Sequence, residues 1–339
     1  MKWNKIIYGI GTLAVIITIT YIMIHAWQDN KTTTPFLVKT EQAELETLFK
    51  KHNAPTAYAM FKEKTNMLAD PVEQHDAAHV FGEALYAHEG VGGMTVCDSF
   101  FGFGCFHSFI ASAIAEHGLD IVSKLDRDCA ARYGVLGLGC PHGIGHGLLS
   151  YLGYNSRELA QALEVCEKLS WHHPYGGCTE GVFMEYNFRT METEVDRRLR
   201  SLTSESTFEP CASIPERFRT ACYFSQPDWW WHRLSENAGF LPEMGDLCTK
   251  AGTTPWVEAC FRGIGYVQAA VQNYDVAQSI HACDETTKNT KKRVWCREGA
   301  AWALYANPPH TDSATLVCSE GLPDQLSKQC LEEYLFFVQ

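Results

Sequence analysis

Two histidine pairs share one spacing: His75 and His79 in "HDAAH", and His142 and His146 in "HGIGH". On a helix, residues four apart project from the same face, so each pair can clamp a single metal ion. Such an ion requires neutral imidazole. Imidazole joined by carboxylate suits zinc first, with copper, iron or manganese as the alternatives. His107 in "CFHSF" and Glu180 in "CTEGV" extend the ligand set. If the ion is catalytic, it keeps an open position, and Asp76, Glu83 or Glu180 supplies a general base or an orienting carboxylate. The competing reading is a polar row of buried, hydrogen-bonded histidines without a metal.

"HDAAH" resembles the zincin motif H-E-x-x-H, in which the middle glutamate is the general base. Here Asp76 stands in that place, one methylene shorter. The longer metzincin pattern fails, because Leu85 occupies the position of its third histidine. "HD" also resembles the dipeptide of all-helical HD phosphohydrolases. Other chemistries lack their motifs: no G-x-S-x-G, S-x-x-K, Walker or Rossmann glycine loop is present.

A cysteine pattern indicates what positions these histidines. All 14 cysteines lie between Cys97 and Cys330, in seven couples: Cys97/Cys105, Cys129/Cys140, Cys166/Cys178, Cys211/Cys222, Cys248/Cys260, Cys283/Cys296 and Cys318/Cys330. No C-x₂-C zinc pair occurs, and an even count in an exported chain predicts disulfides. The second cysteines recur every 34 to 44 residues, the period of a helical hairpin. Helical patterns precede each first cysteine and follow each second one, so each bridge joins the end of one helix to the start of the next. The fold class predicted is all-α: disulfide-stapled helical-hairpin repeats, as an open α-solenoid or a closed α/α-toroid, behind an N-terminal transmembrane helix.

Four units carry C-x-[HER]-G, at Cys140, Cys178, Cys260 and Cys296. Glycine inside a helix costs about 1 kcal/mol against alanine, so its recurrence predicts close backbone approach. Position two after the second cysteine is His107, His142, Glu180, Phe224, Arg262, Glu298 and Glu332 in turn. The segment "HDAAHVFGEALYAHEG" enters the same frame without its cysteine and puts His79 in that row. Helix-dipole stabilisation is the plain explanation for its glutamates.

Residues 1–27 begin with Lys2 and Lys5 and run apolar from Ile6 to Trp27, long enough to cross a bilayer core of about 30 Å. They predict a signal anchor with its N-terminus inside. Residues 28–40 form a polar tether, and residues 41–339 form the extracytoplasmic repeat domain, in a periplasm, extracellular space or lumen. The net charge of −12, with no Lys/Arg stripe, excludes a nucleic-acid partner. In "PDWWWHR" the tryptophans predict packing around the charged insertion of the 44-residue unit; His172 and His173 predict an exposed loop. The function expected is a membrane-anchored metalloprotein, a metal-dependent hydrolase if it is an enzyme, acting on an extracytoplasmic substrate. The alternative is a non-catalytic scaffold binding a peptide, glycan or protein partner.

Overall fold

The computed structural model describes residues 34–133, 139–170, 175–192, 200, 202–307 and 310–338. The expected membrane anchor, residues 28–33 of the tether, and the pair His172/His173 lie outside them. No helix among the described residues is long and apolar enough to cross a membrane. The chain divides between His52 and Asn53. Before that point the described residues form one helix, α1 (Thr34–Lys51), which runs through the boundary drawn at residue 40.

Every regular element after it is also helical; the described residues contain no strand. Eight helices form a series in which each packs on the next: α3 (Pro71–Glu89), α4 (Gly104–His117), α6 (Gly139–Leu152), α8 (Cys178–Phe188), α9 (Glu216–Leu234), α11 (Thr254–Val271), α13 (Thr290–Ala306) and α15 (Asp324–Val338). Shorter helices back this series: α2 (Ala54–Thr65), α5 (Val122–Tyr133), α7 (Ser156–Cys166), α10 (Phe240–Thr249), α12 (Val276–Thr286) and α14 (Ala314–Ser319). Capping fixes several starts: Asp70 accepts from the Val72 amide ahead of α3, and Asn155 from the Arg157 amide ahead of α7.

The seven local couples are the seven disulfides, with Cα separations of 5.4–5.6 Å and no free cysteine. All 14 cysteines are buried; five of the first cysteines lie in the helices α5, α7, α10, α12 and α14, whereas Cys97 follows a 3₁₀ turn (Gly90–Val96) and Cys211 lies in a turn rather than at the end of a helix.

Glycines explain how close the long helices lie. A Cβ on Gly181 would stand 2.0 Å from the His142 carbonyl oxygen, and one on Gly145 would stand 2.1 Å from that of Cys178. The pair Gly299 and Gly265 repeats this between α11 and α13, at 1.8 Å from the Arg262 oxygen and 1.7 Å from the Cys296 oxygen. A side chain at any of the four would push two backbones apart. The C-x-[HER]-G signature is therefore a helix-contact motif.

One expectation needs correction. The second cysteine opens a helix only in the N-terminal part, at α4, α6 and α8. Helices α9, α11, α13 and α15 start at Glu216, Thr254, Thr290 and Asp324, each six residues before its cysteine. Glycine-rich lead-ins, "FFGFGC" and "YGGC", delay α4 and α8. The four later helices have helix-competent lead-ins such as "TKKRVWC", capped by Asn289 through the Lys292 amide. Glu298 thus lies well inside α13, and the helix-dipole explanation survives only for Glu180, in the first turn of α8. Glu332 is exposed and pairs with Lys328 at 3.6 Å, outside the polar row.

Trp229 and Trp230 are fully buried. Their indole N–H groups donate to the carbonyls of Arg200 (3.2 Å) and Thr207 (3.0 Å), which anchors the described part of the insertion.

Candidate metal centre

Five histidines from three helices converge. His75 and His79 come from α3, His107 from α4, and His142 and His146 from α6. Adjacent ring centroids are 4.3–5.2 Å apart, from 4.5 Å for His75 and His79 to 4.3 Å for His107 and His146. His107, His142 and His146 form a buried trio that can hold a metal ion; His75, His79 and His107 form a second trio, half-buried on the α3 side. The i, i+4 spacing places each pair on one helix face, and the glycine contacts bring α6 and its neighbours close enough for the faces to meet.

The hydrogen bonds decide which ring nitrogens are available. His142 Nδ1 lies 3.1 Å from Glu180 Oε2, and His146 Nδ1 lies 2.9 Å from Glu185 Oε2. A carboxylate only accepts, so both Nδ1 atoms carry the hydrogen and both lone pairs sit on Nε2. These tautomers follow from the network rather than from observed hydrogens. The two Nε2 atoms face each other at 3.0 Å. Two bare lone pairs at that distance repel unless a cation or a proton lies between them.

Burial disfavours the proton: it lowers the His146 pKa to about 4, with His142 adding to the shift and Glu185 opposing it. His107 is held well below its ordinary value, first by burial and then by His146 and the other histidines. Burial also works against the Glu185 carboxylate, but hydrogen bonds from His146, Thr190 and Tyr154 outweigh it and keep its pKa low. Glu185 is therefore a buried anion. It takes His146 and the Thr190 hydroxyl on one oxygen; Tyr154 Oη (2.6 Å) and the Met191 amide (3.1 Å) donate to the other.

His107 supplies the third nitrogen. Its Nδ1 lies 3.1 Å from His79 Nε2, while its Nε2 is buried without a hydrogen-bond partner. With the two Nε2 atoms aligned by carboxylates, His107 completes a buried group that could hold a metal ion, its ligand atoms within 4.8 Å of one another. Tetrahedral zinc with Zn–N bonds of about 2.0–2.1 Å needs ligand nitrogens about 3.3 Å apart, so the 3.0 Å pair would open by a few tenths of an ångström. Thiolate ligation is closed, because every cysteine is in a disulfide.

No family model, curated protein or solved structure matches this chain.

A cavity of about 40 Å³ adjoins the buried trio, lined among others by Phe103, His107, His142, Glu180, Tyr266 and Trp302. It holds a water or two and little more. Its walls come from the N-terminal helices α4, α6 and α8 and from α11 and α13 beyond them. Farther along the chain, the same repeated position carries a different network. The Arg262 guanidinium pairs with Glu298 (2.9 Å from Nε), Glu258 (2.7 Å) and Glu333 (3.2 Å).

Of the residues expected from sequence, His75, His79, His107, His142, His146 and Glu180 come together. Asp76 and Glu83 are exposed on α3. Sequence reading missed Glu185, Tyr154 and Thr190, which orient His146. It also missed Asp228, six residues after Cys222 as His146 is six after Cys140. Removal from water, and secondly the charge of Glu180, push the Asp228 carboxyl up to about 7. Phe101 was missed too: its carbonyl accepts from His75 Nδ1 at 2.8 Å. Phe101 and Phe103 adopt left-handed backbone (φ 56° and 67°), a strain of about 1–2 kcal/mol each, and the Phe101 turn aims that carbonyl at the imidazole.

Proposed function

We propose that this chain is a metalloprotein in which His107, His142 and His146 hold a divalent ion, zinc first. The observation that carries the reading is the 3.0 Å approach of the His142 and His146 Nε2 atoms, each with its Nδ1 hydrogen committed to a carboxylate. The scaffold is read as a disulfide-stapled repeat of helical hairpins, curled so that α11 and α13 close over the cavity. The apolar run Ile6–Trp27 supports an inside-to-outside membrane anchor, and seven buried disulfides support an oxidising, extracytoplasmic compartment.

Three imidazoles leave a fourth position on a tetrahedral ion, and His107 and His142 border the cavity where that position would lie. In hydrolysis such an ion polarises a substrate carbonyl or phosphoryl group and acidifies water. Glu180 lines the same cavity and is placed to take a proton there while holding the His142 tautomer. A metal-dependent hydrolase is the enzyme this supports. The cavity's size favours a second reading: a site with room only for water suits an ion that locks the N-terminal helices of a non-catalytic scaffold.

The test is elemental analysis of the oxidised full-length chain, beside a His142→Ala/His146→Ala variant. About one ion or more per chain in the parent, with the buried-site ion lost from the variant, supports the proposal. A parent that takes up no zinc after chelator stripping and re-addition refutes it. The two readings separate on activity: zinc-dependent cleavage of ester, phosphoester or peptide probes, lost in Glu180→Gln with zinc retained, marks the hydrolase.

A further inference from the structure

His107 belongs to both histidine trios, and its ring has a nitrogen on each side. Nδ1 faces His79 Nε2 at 3.1 Å, whereas the buried, partnerless Nε2 lies across the ring from it. The ring centroid lies 5.1 and 5.2 Å from those of His75 and His79, and 5.1 and 4.3 Å from those of His142 and His146. Each trio's ligand atoms lie within 4.8 Å of one another.

We propose that the chain holds two metal ions bridged by His107. Nε2 serves the buried ion with His142 and His146, and Nδ1 serves a second, half-buried ion with His75 and His79. This rests on the metalloprotein reading above. Three observations favour the second site. First, the His75 Nδ1 hydrogen is committed to the Phe101 carbonyl, so its lone pair sits on Nε2, as at His142 and His146. Second, glycines make the room: a Cβ on Gly102 would stand 3.2 Å from His75 Nδ1, and one on Gly104 would stand 3.1 Å from His79 Cδ2 and 2.7 Å from the His75 carbonyl oxygen. "FGFGC" is thus a clearance around the α3 imidazoles as well as a helix lead-in. Third, the strained Phe101 backbone holds that carbonyl in place.

The charges also balance closely. Neutral His107 carries one ring proton, and coordination at both nitrogens releases it to solvent, leaving an imidazolate. That anion, with Glu180 and Glu185, sets three negative charges against the four positive charges of two divalent ions. Across one imidazole ring, with metal–nitrogen bonds of about 2.0 Å on each side, the ions would lie roughly 6 Å apart. The buried ion would exchange slowly. The outer one, between half-buried ligands, would exchange readily.

The test titrates copper(II) into the metal-free, oxidised full-length chain, reading stoichiometry by elemental analysis and spin coupling by electron paramagnetic resonance. Two ions per chain are expected, with the signal of the first ion falling as the second, spin-coupled through the ring, enters. His75→Ala/His79→Ala should bind one ion with an uncoupled signal. His79→Gln should do the same if the double variant misfolds. One ion in the parent, or two uncoupled ions, overturns the bridge and leaves the single-site reading standing. No ion at all overturns both.

Discussion

Replacing Glu185 by glutamine tests the orienting role of one buried carboxylate without changing its shape. Glu185 is fully buried and receives four donors: His146 Nδ1 and the Thr190 hydroxyl on one oxygen, the Tyr154 hydroxyl and the Met191 amide on the other. The Met191 N–H is fixed by the backbone and can only donate. In Glu185→Gln the amide oxygen must therefore stay on the Met191 side, which turns the NH₂ group toward His146. The imidazole then moves its proton from Nδ1 to Nε2, where it donates to His142 Nε2 across the 3.0 Å gap. That change satisfies every group in the metal-free protein and blocks the nitrogen that the ion needs. Loss of such an orienting partner weakens metal affinity by about 10- to 100-fold, or about 1.4–2.7 kcal/mol. Metal-free stability should move by less than about 2 kcal/mol, because each position keeps a hydrogen bond. Competition with a chromophoric zinc chelator reads the affinity, and ¹⁵N NMR of the metal-free variant reads the tautomer. Zinc affinity within threefold of the parent, or a His146 proton still on Nδ1, would refute the reasoning.

Acid should destabilise the metal-free protein between roughly pH 6.5 and 4. The folded His146 pKa of about 4 lies below its unfolded value, so the unfolded state binds more protons in that window; His146 alone accounts for about 3 kcal/mol, and His107 acts in the same direction. Urea unfolding at pH 7.5 and pH 5 checks this, and equal stability at both would contradict it. Gly181→Ala must displace α8 from α6, since its Cβ would stand 2.0 Å from the His142 oxygen; a loss of about 1–3 kcal/mol with weakened zinc binding is expected, whereas Gly92→Ala, with open space around it, should change stability by less than about 0.5 kcal/mol. Arg262→Ala strips the buried Glu298 of its counter-charge and should cost about 3–5 kcal/mol in urea unfolding, while Arg262→Met/Glu298→Leu should recover most of that. Replacing Cys166 and Cys178 by alanine removes a bridge over a separation of 12 residues and should cost about 3 kcal/mol by the same measurement.

Much of the scaffold was legible in the sequence because cysteine spacing is a local signal. Couples 8 to 13 residues apart closed as drawn, and glycine three after the cysteine marked the backbone contacts. The i, i+4 histidine pairs were legible for the same reason, since helix geometry alone puts them on one face. Glu185 was not, because it lies seven residues after Cys178, outside the repeated polar position. Its contact with His146 depends on how α8 is rotated against α6. Helix starts in the C-terminal units do not follow the cysteine, because glycine in "YGGC" delays α8 whereas its absence from "TKKRVWC" lets α13 begin six residues before Cys296. Glu332 followed the frame in sequence and left it in space, pairing with Lys328 on the surface.

X-ray absorption of the zinc-loaded full-length chain reads the coordination directly. Nitrogen scatterers at about 2.0–2.1 Å with the outer-shell pattern of imidazole rings, and no sulfur, are predicted. A sulfur shell near 2.3 Å, or zinc surrounded by water oxygens alone, would mean that these histidines do not hold the ion.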